Sequence, residues 1–451
     1  MLTNASKKMC GVIPLCFLIL IMVFSFTPAS IYGAGKNFPN IKYTSPERVG
    51  AGVTFRRATE ESKHWEICIV EVDLSNPNVD IEVLNPIEKP LETTSKQATA
   101  ANAIAAVNGT FFNMENAQYF GFHKADSKIV RCYKPATSFV RDPTDPDDNT
   151  EPAPPFKQPW YAFGLWGPLN KKPLMEAITP CGESVSGNKD WSKTIDVLSS
   201  YPNLVKDGKI DYDQVNGTLF GWEKVTAQRT WLGFDTKTNK LYFVTVDGRI
   251  NEPKQGEKAR VGMTCLEEAQ FLLDLGCDYG LNYDGGGSTT CWVNGEVKNH
   301  LIMPERPVAT VWAIIPANIV DNQAKECGKT GASWKEGEYS DSYYLNSLKI
   351  GTDDKATTVA WKPNLEEKGS YDVFVWYPED VEQSDSVTYK VVDDKGEHEV
   401  KVNQRRGGGQ WNKLGSYSFS PGSKGHVSVS NAALSSGYFL TDAVKFLYKK
   451  Q

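Results

Sequence analysis

The residues with the most chemistry within reach are Asp284-Gly285-Gly286-Gly287-Ser288, an acid and a hydroxyl bracketing three glycines. Without Cβ atoms, a turn can bring its backbone N–H groups close to a ligand or adopt positive φ. Such amides suit an anion, although a plain tight turn reads the same way in isolation. No lysine follows the glycines, which excludes a nucleotide P-loop. Comparable polar groups stand at the ends of other apolar runs: Asn108, Arg229, and Asp247 with Arg249. Together with Asp284 and Ser288 they make four points that, gathered on one side of a sheet, form a pocket carrying both charge signs. Guanidinium groups offer paired donors that match phosphate or carboxylate. Each point also has a bland reading: Asn108 as a turn asparagine, and the charged strand ends as solvent-facing groups.

Positioning these groups requires the elements around them. An amphipathic pattern over Val261 to Leu275, ended by Gly276, predicts a helix before the glycine turn, and Cys291-Trp292-Val293 predicts a strand after it. Alternating runs from Trp65 to Leu84, broken by Asn76-Pro77-Asn78, predict a hairpin. The alanine-rich stretch from Thr94 to Ala106 has helical spacing and leads directly to Asn108. Strands are expected at 228–234 and 241–246, a hairpin at Asn294-Gly295, and a closing strand over 306–316. The Asp- and Pro-rich stretch 141–159 reads as a long loop. After a linker at 318–333 come seven short strand patterns between Thr357 and Tyr448. The expected architecture is an α+β domain with a mixed or antiparallel sheet and packed helices over 35–317, followed by an all-β sandwich over 334–451.

A chain of 451 residues exceeds what one core usually serves. Lys7 and Lys8 precede an apolar run from Val12 to Phe26 and small residues near Ala29 and Ala34, so 1–34 reads as a secretory signal peptide. No second apolar stretch is long enough to span a bilayer. The protein is therefore expected to be secreted, extracellular or associated with a cell wall. Removing the signal lysines leaves 47 of the 49 basic residues against 55 acidic, a net charge of −8, which disfavours nucleic acid as a partner. Cys68, Cys132, Cys181, Cys265, Cys277, Cys291 and Cys327 form an odd set without zinc-ligand spacing, and their pairing cannot be read from sequence. No cofactor is implied; Asp247 and Asp284 alone make a weak case for a divalent metal. Asn108-Gly109-Thr110 and Asn216-Gly217-Thr218 match glycosylation sequons.

Taken in order, AVNGTFFN (106–113), QRTWLGFD (228–235), TVDGR (245–249), VGMTCLEEAQFLLDLGC (261–277), NYDGGGSTT (282–290) and ERPVATVWAII (305–315) resemble the phosphodiester glycosidase family. The likeness covers roughly Trp65 to Pro316 and is poor through the Pro-rich region up to Gly221. Tyr283 before the acid and NGTFF at the asparagine depart from the family's usual pattern. The resemblance implies a site of Asn108, Arg229, Asp247, Arg249, Asp284, Gly285, Gly286, Gly287, Ser288 and Arg306, and puts Glu267 at the family's helix acid. At the start of a helix Glu267 also complements the dipole, and that role is favoured here. The implied reaction is cleavage of the glycosidic bond of a sugar-1-phosphodiester in an extracellular glycopolymer. Arg229, Arg249 and Arg306 would hold the phosphate, Asp284 or Asp247 would act on the anomeric carbon, and Asn108 and Ser288 would bind hydroxyls or phosphate oxygens.

Trp361-Lys362-Pro363, Tyr371-Asp372-Val373, Trp376-Tyr377-Pro378, Gln404, Trp411 to Gly415 and Thr441-Asp442-Ala443-Val444 resemble the golvesin C-terminal-like domain, which implies glycan or wall binding. Trp376, Tyr377 and Trp411 can stack on sugars, though aromatics at alternating strand positions are more often core. Two rival readings stay open: a polymer-binding protein without catalysis, and a hydrolase of another type attacking a glycoside or the phosphorus.

Overall fold

The computed structural model describes residues 36–450 apart from 85–90, 115–116, 118–119, 127, 133–159, 167–171, 179–190, 192–193, 217–220, 251–257, 332–333, 340–341, 345, 353–355 and 435–436. The signal segment, the 141–159 loop, Cys181 and most of the second sequon lie outside the described residues.

Asp80–Leu84 pairs with Val311–Ile315 instead of closing the expected hairpin, whereas Trp65–Asp73 joins one antiparallel sheet of nine strands. Its central order is Val53–Glu60, Trp65–Asp73, Lys240–Val246, Arg229–Asp235, Tyr279–Tyr283 and Asn203–Lys206. Every residue of Arg229–Asp235 is buried, because both faces of this strand are covered. Successive side chains point to opposite faces. On one face, Trp231 meets Phe271 of the helix Cys265–Asp274 edge to face, with centroids 6.0 Å apart. The helix comes this close because Gly233 and Gly280 leave room for Leu272, which an added Cβ at either glycine would strike. On the other face, Leu232, Phe234, Phe243 and Leu281 share a core with Val107, Trp312 and Ile314. These last three belong to a five-stranded sheet ordered Glu296–Val297, Cys291–Val293, Ala105–Asn108, Val311–Ile315 and Asp80–Leu84. Two sheets stacked through this core therefore carry the strands that end at Asn108, Asp284 and Cys291.

The expected α+β domain with packed helices is overturned. Half of the residues lie in strands and a tenth in helices. The α-helices among the described residues are Thr94–Ala100, Tyr212–Val215 and Cys265–Asp274. The alanine-rich run explains part of the error: helical spacing holds only to Ala100, and Ala105–Asn108 instead enters the sheet, fully buried between Val311–Ile315 and Cys291–Val293. Alanine favours helices over strands, but its small side chain fits where sheets pack closely, and tertiary packing overrides propensity.

All seven strand patterns after Thr357 coincide with strands, in two antiparallel sheets that share one core built on Trp361, Tyr371, Val373, Tyr389 and Phe446. Residues 318–333, read as a linker, contribute to both sheets: Ala317–Val320 pairs with Val444–Tyr448, and Cys327–Thr330 pairs with Thr358–Trp361. Residues 34–451 cluster as one unit, and ion pairs cross between its halves, Lys445 Nζ to Glu82 at 2.9 Å and Arg48 to Glu367 at 2.8 Å. No helix among the described residues is long and apolar enough to cross a membrane.

Candidate active site

Strand Tyr279–Tyr283 delivers Asp284, and the chain then makes a single 3-10 turn at Gly286–Ser288 before strand Cys291–Val293 begins. Asn108 organises this turn. Its Nδ2 donates to the Asp284 carbonyl at 2.7 Å, while its Oδ1 accepts from Thr230 Oγ1 at 2.7 Å and from the Thr290 amide at 3.1 Å. The side chain is fully buried and ties both ends of the turn to the central strand. That engagement differs from the expected role of presenting an amide to sugar, and it leaves no room for a glycan on the Asn108 sequon.

Within the turn, the amides of Gly286, Ser288 and Thr289 donate to the carbonyls of Gln228, Gly285 and Gly286, at 3.0, 3.2 and 3.1 Å. No hydrogen bond among the described residues takes the N–H of Gly285 or Gly287. Asp284, Gly285 and Gly286 are half-buried, whereas Gly287 and Ser288 are buried. The turn therefore opens at its acid end.

Two arginines lie against it. A Cβ on Gly286, whose φ is +58°, would sit 3.2 Å from Arg249 Nη2, and one on Gly287 would run into the Arg306 guanidinium. Arg306 Nη1 also donates to Ser288 Oγ at 3.2 Å. Arg249 itself has φ +60°, a left-handed conformation that disfavours a residue with a Cβ by roughly 1–2 kcal/mol. Glycines here are thus a steric requirement of bringing guanidinium groups onto the peptide backbone. The structure gathers Asn108, Arg249, Asp284, Gly285, Gly286, Gly287, Ser288 and Arg306 around one turn.

Arg229 is different. Its aliphatic Cδ and its Cα lie against Gly285, while its guanidinium donates to the carbonyls of Trp222, Val225 and Met263 and lies over the Trp222 ring. Nε is 3.4 Å from Glu268, whose side chain is fully buried. Burial pushes the Glu268 carboxyl up to about 8 against the opposing pull of Arg229. Arg229 therefore knits the helix Cys265–Asp274 to the segment beneath the turn. Glu268 was missed from sequence, yet Cys265, Glu268, Ala269 and Leu272 are buried at helical spacing, so the periodicity placed an acid on the inward face. Its neighbour Glu267 forms a capping box with Thr264 and an ion pair with Lys63 at 2.7 Å, the helix-start role favoured above.

Asp247 is buried as well. Its Oδ1 accepts from the His300 amide at 3.0 Å and its Oδ2 lies 3.5 Å from Arg260. Burial nevertheless raises its pKa to about 7. Holding His300 steadies the segment leading to Arg306, so Asp247 reaches the turn through the backbone. Among the described residues no group of three or more His, Cys, Asp or Glu could hold a metal ion. A cleft of about 670 Å³ lies away from this chemistry, between the halves, lined by Arg48, Asn102, Trp292, Asn294, Tyr448 and Lys450 among others. None of the gathered site residues lines it, and Asn102 and Lys450 there bridge the halves to each other.

Residues 101–315 match the family model for phosphodiester glycosidase, spanning every residue of the gathered turn, and residues 318–448 match the Golvesin C-terminal domain. The chain joins a phosphodiester glycosidase domain to a Golvesin C-terminal domain. Human N-acetylglucosamine-1-phosphodiester alpha-N-acetylglucosaminidase is 26% identical over 211 residues, 46% of this chain and 35% of that protein. Xanthan lyase of Bacillus sp. (strain GL1) is 39% identical over 138 residues, 30% of this chain and 15% of the lyase. The chain thus spans about a third or less of the length of the curated relatives it matches. The solved catalytic domain of zebrafish N-acetylglucosamine-1-phosphodiester alpha-N-acetylglucosaminidase aligns with 62% of this chain and 85% of its own, at 20% identity and a TM-score of 0.42. The phosphodiester glycosidase domain is therefore assigned from its sequence match, and its gathered turn from the geometry.

Proposed function

We propose that the phosphodiester glycosidase domain hydrolyses the glycosidic bond of a sugar-1-phosphodiester, in an extracellular glycopolymer. The observation that carries this reading is the pair of guanidinium groups, Arg249 and Arg306, laid on the backbone of a glycine turn that begins with a half-buried acid. Cationic side chains and the amides of Gly285 and Gly287 recognise the phosphoryl oxygens. C1–O cleavage expels a phosphate monoester, already an anion at neutral pH, so the reaction needs that anion held more than it needs a proton delivered. Asp284 acts on the anomeric carbon, as nucleophile or as base for water. Asp247, with its pKa near 7, and the Arg229–Glu268 pair hold the surrounding segments in place.

The test is hydrolysis of an N-acetylglucosamine-1-phosphate diester in ¹⁸O-water. Release of sugar with the label on C1 is expected. Label in the phosphate instead would mean attack at phosphorus, and tight retention of polymer with no sugar released would favour a binding protein; either outcome overturns the proposal.

A further inference from the structure

Five cysteines, Cys68, Cys265, Cys277, Cys291 and Cys327, have described side chains, all buried, and the site chemistry uses none of them. For three of them the neighbouring titratable groups are charged side chains: Glu268 and Arg229 near Cys265, Asp235 and Asp278 near Cys277, and Lys329 and Asp321 near Cys327. Cys68 and Cys291 are the exception. Cys68 lies on Trp65–Asp73 in the nine-stranded sheet, opposite Arg57 and Thr245, whereas Cys291 opens the strand leaving the glycine turn, opposite Val107 in the second sheet. Both side chains enter the core between the sheets as neighbouring free thiols, and the Lys298 amide donates to the Cys291 carbonyl at 2.7 Å. Arg57 covers them, its Nη1 donating to Cys68 Sγ at 3.7 Å and its Nη2 to the Lys298 carbonyl at 2.5 Å.

We infer that Cys68 and Cys291 form a disulfide that staples the nine-stranded sheet to the end of the glycine turn. Two features make this pair consequential. Two residues before Cys68, the Glu66 carbonyl accepts from the Asp247 amide at 3.0 Å. At Cys291, Asn299 accepts from the amide at 2.7 Å and donates to Thr289 at 3.0 Å. The covalent bond would thus hold the Asp247 segment and the glycine turn in a common frame. It would also close a loop of about 220 residues, a length at which a cross-link removes much unfolded-state entropy.

Oxidation by a small-molecule disulfide balances as an exchange. The Cys291 thiolate attacks one sulfur of oxidised glutathione and expels a first glutathione thiolate. The Cys68 thiolate then attacks the Cys291 sulfur of the mixed disulfide and expels the second. Both thiol protons pass to solvent or to the departing thiolates, and the electron pair of the new S–S bond replaces that of the glutathione bond. Since Cys68 and Cys291 are 3% and 0% exposed, the exchange belongs to folding, before the sheets close. Reduction of the folded protein should accordingly need denaturant.

The experiment is to refold the full chain in oxidised and reduced glutathione, alkylate in guanidinium without reductant, digest, and map the peptides by mass spectrometry. A linked pair carrying Cys68 and Cys291, lighter by two hydrogens than the separate thiol peptides, is expected. Its thermal midpoint should exceed that of protein refolded under reducing conditions by about 3–8 °C. A variant combining Cys68→Ala with Cys291→Ala should lose this dependence on redox conditions. Recovery of both cysteines as alkylated free thiols, or of Cys291 joined to a different cysteine, overturns the inference. That map uses the unmodified chain, so it decides the matter even where the double variant does not fold.

Discussion

Around the glycine turn, side chains from distant segments converge on half-exposed backbone; at Trp376 and Trp411, the aromatic rings of the Golvesin C-terminal domain converge on one another. Trp376 is 1% exposed and lies 5.2–5.3 Å, centroid to centroid, from Tyr343 and Trp411. Trp411 donates from Nε1 to Asp126 of the first domain at 3.3 Å and carries Lys445 over its ring at 4.7 Å. Tyr377 is equally buried, its hydroxyl donating to the Arg406 carbonyl at 3.0 Å. These rings, which residue type alone offers as sugar-stacking platforms, already have partners. The turn instead sets two guanidinium groups and two amide N–H groups beside a half-buried acid. A binding site needs polar groups set where a ligand can reach them, and the half-buried acid end of the turn is so placed.

The largest effect expected at the turn is on chemistry. Asp284→Asn preserves the shape of the side chain but removes its charge, and hydrolysis of the sugar phosphodiester should fall by about 10³-fold or more while the thermal midpoint stays put. Retained activity would break the contrast, because the turn would then be no more functional than the aromatic cluster. Trp376→Ala should behave in the opposite way, costing about 3–5 kcal/mol of stability in denaturant titrations through the cavity it leaves. At temperatures where the variant is folded, its affinity for extracellular polymer should equal that of the unmodified protein. Lost polymer binding with unchanged stability would make the cluster a ligand platform after all.

Asn108 sharpens the comparison from within the site. Asn108→Ala leaves the Thr290 amide, the Thr230 hydroxyl and the Asp284 carbonyl without their shared partner inside the protein. A loss of about 1–3 kcal/mol is expected in urea unfolding, together with weaker hydrolysis as the turn loosens. A residue that merely touched substrate would change KM and leave stability alone.

How much of this was legible beforehand depended on the range of the interaction. The strands at 228–234 and 241–246 and the helix ending before Gly276 follow local periodicity, and they appear as Arg229–Asp235, Lys240–Val246 and Cys265–Asp274. The motif order likewise brought Arg249, Asp284 and Arg306 into one list. Orientation was not legible: the Arg229 guanidinium turns inward because Glu268 and three carbonyls face it from segments up to 39 residues away, and no local pattern encodes that. The fold class failed for a related reason. Ala105–Asn108 becomes a strand through pairing with Cys291–Val293 and Val311–Ile315, contacts some two hundred residues distant in sequence.

The smallest expected effect concerns charge buried in the Golvesin C-terminal domain. Asp321 and Asp442 are fully buried neighbours, with Asp442 accepting from Ser347 Oγ at 2.7 Å and the Tyr343 amide at 2.9 Å. Two carboxylates this close retain a proton. Burial pushes Asp321 up to about 7 and Asp442 well above the usual carboxylate range. The sign follows from proton counts: between the unfolded values near 4 and the raised folded values, the folded chain binds more protons than the unfolded one, so stability falls as pH rises through that window. Asp247 and Glu268 in the first domain contribute in the same direction, which is why the bare pH profile does not isolate the pair. Asp321→Asn does, because its amide donates to Asp442 at every pH in place of the shared proton. Its stability should match that of the unmodified chain near pH 5 and exceed it near pH 8 by about 1 kcal/mol, measured by urea unfolding at both pH values. Equal stabilities at pH 8 would mean that this pair loses its proton without penalty.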